Sequence, residues 1–107
     1  MFKAVILLTR RGDMTHDEFV AWWLTDHAPL AASLPSLRRA AFNVVDTGHE
    51  EGGIDGVSEL WFDSRADFEA AYATEIGVAT AADSLAHVSG RVRLLVTENA
   101  LEIPGDS

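Results

Sequence analysis

The chain has 107 residues, of which 48% are apolar, enough for one folded domain with a modest margin of stability. Acidic residues outnumber basic ones by 17 to 8, a net charge of −9, which excludes the basic footprint that nucleic acid or an anionic membrane requires. The lack of cysteine excludes disulfides, thiolate nucleophiles and thiolate metal sites. No run approaches the ~18 apolar residues needed to span a bilayer. Met1-Phe2-Lys3 enters an apolar stretch without a cleavage-site pattern, so no signal peptide is read and a cytoplasmic location is expected.

Phe2 to Thr9 reads as a strand, mostly aliphatic or β-branched and stopped by Arg10-Arg11-Gly12-Asp13. Thr15 with Glu18 three residues on has capping-box spacing, so a helix starts there and runs through Phe19, Trp22 and Trp23. Pro29 strains or breaks it, because proline lacks an N–H and disfavours helical geometry at Ala28. A second strand is expected over about Arg38 to Val45, a mobile loop over Asp46 to Asp55, and a third strand over Gly56 to Phe62. Ser64 caps a helix carrying Phe68, Ala71 and Tyr72, with further helical residues through Ile76 to about His87. The last strand is Arg91 to Thr97, and Leu101 to Ser107 is a tail. The order β-α-β-β-α-β is the ferredoxin-like pattern, an α+β fold with a four-stranded antiparallel sheet and both helices on one face.

The strands do not alternate cleanly between apolar and polar, as half-exposed antiparallel strands should. Val5 and Leu7 oppose Phe2, Ala4, Ile6 and Leu8; Val57 and Trp61 oppose Leu60 and Phe62; Val92, Leu94 and Val96 oppose Leu95. A wet second face would be a large apolar patch. A second copy packing sheet to sheet would cover it, and the space between the sheets would be the ligand pocket. Glu59, between Val57 and Trp61, is either a general base or acid with a raised pKa or a rim carboxylate paired with Arg39 or Arg93. Asn43, between Ala41 and Val45, is a candidate substrate hydrogen-bonder.

With Phe19 at zero on a wheel of about 100° per residue, Trp23 falls near about 40°, Asp26 near about 340° and His27 near about 80°. Asp26 and His27 thus flank the apolar stripe instead of opposing it. Pro29 also leaves the Thr25 carbonyl without its usual partner. Histidine is the side chain best matched to proton transfer near neutral pH. The alternative for His27 is a histidine bonding free carbonyls at a helix end. Asp26, as an adjacent helical residue, points away from it. His16 reads as solvated, His49 as a loop residue and His87 as one near the sheet end. No pair has metal-ligand spacing, and no phosphate loop or GxSxG nucleophile occurs. Trp22, Trp23 and Trp61 either stack a planar ligand or fill the core.

Thr15-His16-Asp17-Glu18-Phe19-Val20-Ala21-Trp22-Trp23, Asp26-His27-Ala28-Pro29-Leu30, Leu34-Pro35-Ser36-Leu37-Arg38-Arg39 and Asp55-Gly56-Val57-Ser58-Glu59-Leu60-Trp61-Phe62 resemble the EthD family within the dimeric α/β-barrel superfamily. The resemblance spans about residues 2 to 98, and the aromatic pair followed by His-Ala-Pro-Leu is its most specific part. It implies an EthD-like domain over 1–100 with a tail over 101–107, pairing as a homodimeric α/β barrel through the sheet face. It also implies a link to methylmuconolactone isomerases, anthrone dehydratase-like proteins and polyketide cyclases, which work by acid-base chemistry without metal or organic cofactor. The motif histidine, His27, carries over as catalytic.

The expected function is therefore a cofactor-free isomerase, cyclase or dehydratase (lyase) acting on a small hydrophobic carbonyl compound. His27 and Glu59 are its candidate catalytic residues, and Asn43, Trp23 and Trp61 its candidate substrate contacts. The rivals are a non-catalytic small-molecule-binding accessory protein and a haem-binding or monooxygenase-like relative with His87 or His27 as axial ligand.

Overall fold

Alternation in the central strand decides which way the molecule is built. In β1 (Phe2–Arg10), Ala4, Ile6 and Leu8 are buried while their neighbours are only half-buried, as a strand with one face on a core requires. The computed structural model describes residues 1–47 and 50–105. Thr15 caps α1 (His16–Trp22) with both halves of the capping box: the Glu18 amide donates to Thr15 Oγ1 at 3.1 Å, and the Thr15 amide donates to Glu18 Oε1 at 2.8 Å. A π-helical turn (Trp23–His27) leads into α2 (Ala28–Ala32). Then come β2 (Arg39–Val44), β3 (Gly56–Phe62), α3 (Arg65–Ala73), α4 (Glu75–His87) and β4 (Val88–Thr97). Ser64 caps α3, and Thr74 separates α3 from α4 by capping the latter.

The sheet is antiparallel throughout, in the order β2-β3-β1-β4. Register fixes its two faces. One row pairs Ala4 with Leu60 and Leu95, and the next such rows pair Ile6 with Ser58 and Arg93 and Leu8 with Gly56 and Arg91. This face meets Phe19, Trp22, Trp23, Leu34, Phe68 and Ala71 of the helical layer in the core. The other face presents Lys3, Val5 and Leu7 beside Trp61, Glu59 and Val57 and beside Val96, Leu94 and Val92.

The ferredoxin-like topology is as expected, but the expected barrel is not formed. The sheet is open, and β2 and β4 are its edges. One chain supplies four strands, whereas a closed barrel with an interior filled by side chains takes about eight. Within the chain, a small cavity lined by His27 lies between the helices and the sheet.

Candidate active site between the helices and the sheet

Pro29 lies in the first turn of α2, where a missing N–H costs little. Just before it the backbone widens into the π turn, and the Ala28 amide donates to the Trp23 carbonyl five residues back. Such single turns interrupt α-helices frequently at functional positions. The wider spacing brings residue i+5 over residue i. His27 therefore lies against Trp22, with ring centroids 5.0 Å apart, and is only 6% exposed. Asp26, one residue earlier, faces solvent.

The carboxylate partner of His27 is Asp83, which the sequence did not single out. His27 Nδ1 is 2.9 Å from Asp83 Oδ2. A carboxylate only accepts, so Nδ1 carries the proton in the neutral ring and Nε2 keeps its lone pair. The Trp22 indole N–H donates to the other Asp83 oxygen at 3.4 Å. His87 stacks on Trp22 at 4.2 Å and lies 2.8 Å from the Asp83 backbone carbonyl through Nδ1. Burial lowers the His27 pKa from its ordinary value, and Arg91 and His87 add to this, while the Asp83 hydrogen bond and charge pull the other way. Burial thus favours the neutral imidazole.

The cavity beside His27 measures about 10 Å³, room for about one water molecule. Ile6, Leu8 and Leu60 form its apolar floor. Its polar lining comes from Ser58 on β3, Tyr72 on α3, Thr80 and Ser84 on α4, and Arg91 on β4. Burial lowers the Arg91 pKa and raises that of Tyr72. Phe42 and Ala31 form a wall that is shared with a second, apolar cleft of about 230 Å³ bounded also by Leu24, Ala28, Ala32 and Ala40.

The other candidate residues lie elsewhere. Glu59 is on the opposite face of the sheet from His27, so the two do not meet. Its expected raised pKa is replaced by a lowered one: Lys3 donates to it at 2.9 Å and Asn43 at 3.1 Å, which together outweigh its partial burial. Asn43 also donates to the Val57 carbonyl, at 2.9 Å. Trp61 shares that face, with Lys3 and Arg39 over its ring and its N–H donating to Glu98 at 3.0 Å. Trp23 is fully buried in the core, stacked on Phe42 at 4.4 Å. A side chain at Gly56 would strike its ring at 2.7 Å. His16 is not simply solvated, because its Nδ1 lies 2.7 Å from the buried Asp55. His49 lies outside the described residues. Among the described residues, no group of three or more His, Cys, Asp or Glu is gathered as a metal would need, and no helix is long and apolar enough to cross a membrane.

Solved structures of the same fold include an ethyl tert-butyl ether degradation (EthD) family protein from Bacillus halodurans. It is 21% identical, with TM-score 0.76, over 92% of this chain and 100% of the other. A dimeric ferredoxin-like protein of unknown function from Thermobifida fusca is 23% identical, with TM-score 0.72, over 91% and 90%. SnoaB, a cofactor-independent oxygenase from Streptomyces nogalater, is 18% identical, with TM-score 0.67, over 98% and 97%. The sequence of the EthD domain matches residues 11–89, a span that carries the whole π turn, His27 and Asp83, and on that match the chain belongs to the EthD family.

Proposed function

We propose that the chain is a cofactor-independent acid-base enzyme acting on a small hydrophobic carbonyl compound, such as a lactone, an enone or a polyketide-like molecule. The observation that carries this reading is buried His27, on the wall of a partly polar cavity and held at 2.9 Å by the half-buried Asp83 carboxylate behind it. His27 Nε2 takes a proton from the carbon next to the carbonyl and returns it at another position. Asp83 fixes the tautomer and stabilises the imidazolium formed on the way. The apolar cleft on the other side of Phe42 and Ala31 supports a hydrophobic substrate body. SnoaB, a cofactor-independent oxygenase of the same fold, supports cofactor-free catalysis on this scaffold. Glu59 and Asn43 have no part in this reading, since the sheet separates them from His27.

The test is exchange of the α-protons of 2-tetralone in heavy water, followed by NMR. The wild-type protein should accelerate exchange, and His27→Ala should reduce that acceleration about 100-fold or more. Equal exchange by the two proteins would overturn the assignment. Tight binding of 2-tetralone without any exchange would favour a small-molecule carrier instead.

We also propose a homodimer through the open sheet face. Val92 and Leu94 there are 49% and 45% exposed, and they continue across Val5, Leu7 and Val57 as one apolar field. A dimeric ferredoxin-like protein of the same fold supports a dimer.

A further inference from the structure

Arg91 is the one cationic side chain in the lining of the His27 cavity, and the lining contains no carboxylate. Pairing with Leu8 turns it toward the helical layer and away from the open face. Its Nε is buried and makes no hydrogen bond among the described residues. An unsatisfied guanidinium N–H is costly to bury, and a structure retains one chiefly where something else completes it. His27 and Tyr72 share the same small space.

We propose that Arg91 forms an oxyanion site in the His27 cavity, whose ligand is the substrate oxygen that becomes an enolate when the neighbouring carbon loses its proton. This rests on the acid-base reading of His27. The step balances within the substrate and the two side chains. The C–H bond breaks and its proton goes to His27 Nε2. The C–H electron pair becomes the new C=C bond, and the carbonyl π pair moves onto oxygen, which accepts from Arg91 Nε–H. Reprotonation of carbon by the imidazolium discharges both charges.

Two features favour an oxygen that is neutral on entry over a carboxylate. The chain carries a net charge of −9, which disfavours approach of a ready-made anion. A donor that meets full charge only after proton transfer acts on the transition state and not on the ground state. The substrate class is thereby narrowed to enolisable ketones, enones and lactones.

The probe is 4-nitrophenol, whose phenolate mimics an enolate and absorbs visibly. It is mixed with excess protein at the pH where half the free probe is ionised. Wild type should enrich the bound phenolate over the phenol about tenfold or more relative to Arg91→Met, and His27→Ala should retain that enrichment. Equal phenolate fractions in wild type and Arg91→Met, or no enrichment by wild type, would overturn the site. Should Arg91→Met not fold, the wild-type Arg91 Nε–H resonance decides: displacement by 4-nitrophenol supports the site, and a static resonance overturns it. Intact enrichment with 2-tetralone exchange independent of His27 would sink the acid-base reading and leave the anion site standing.

Discussion

At the scale of residues, the site is a contest between burial and one hydrogen bond. Burial lowers the His27 pKa, and Asp83 partly restores it. An imidazole titration followed by NMR should therefore give a His27 midpoint below the ordinary value of about 6.5. In Asp83→Asn the midpoint should fall further, because the charge that favours the imidazolium is gone; unchanged midpoints would refute the coupling. The sign for stability follows from linkage. A histidine with a depressed folded pKa contributes fully above about pH 6.5 and loses that contribution as pH falls through its folded value. His27 itself was legible in the sequence, from its place beside the apolar stripe and from the motif around it. Asp83 was not, because it lies 56 residues away and only the packing of α4 brings it near. Arg91 was hidden for a different reason: a strand residue's face depends on register, which a single sequence does not print.

Among the elements, α4 is turned against the ordinary expectation. Its buried residues are Gly77, Thr80 and Ser84, while Val78 and Leu85 are 59% and 61% exposed. Of this small and polar stripe, which the sequence reading did not single out, Thr80 and Ser84 wall the cavity. Gly77 is needed there because a Cβ would lie 2.2 Å from the Ala71 carbonyl oxygen and 2.5 Å from Tyr72 Cα. Gly77→Ala should cost roughly 1–3 kcal/mol through overpacking, measured by urea unfolding. A second joint holds β1, the start of α1 and β3 together. The buried Asp55 accepts from the Arg10 amide at 2.8 Å and its guanidinium at 2.6 Å, and lies against His16 at 2.7 Å. Burial alone would raise its pKa, but these bonds together hold it below the usual value. Asp55→Ala should cost about 3 kcal/mol at pH 7. The difference from wild type should shrink as pH falls below about 4, since a carboxyl with a depressed folded pKa loses its contribution as it is protonated. A gap that persists at pH 2 would count against that origin.

For the whole molecule, the element order and the one-sided helical layer were legible in the succession β-α-β-β-α-β, and the caps at Thr15 and Ser64 are where the sequence put them. The second sheet face was also legible as apolar, but what covers it was not, because a chain's own sequence does not contain its neighbour. Packing of two such faces should be concentration-dependent and sensitive to charge. Leu94→Glu places a carboxylate in the middle of the field beside Val5, where burial without a partner is unfavourable. Sedimentation velocity should show wild type as a dimer and Leu94→Glu as a monomer with its far-UV spectrum unchanged; a monomeric wild type at tens of micromolar would remove the proposal.

The π turn between Trp22 and Pro29 carries a consequence for chain length. It is what an α-helix becomes when one residue is added between two side chains that must both stay put. Trp22 and His27 both reach Asp83, and they are held on one side of the helix despite being five apart. Deleting Leu24, which is 46% exposed and on the rim of the apolar cleft, would set Trp22 and His27 four residues apart, the natural repeat of an uninterrupted α-helix. In that sense the chain spends one more residue than its geometry requires, and it does so next to the histidine.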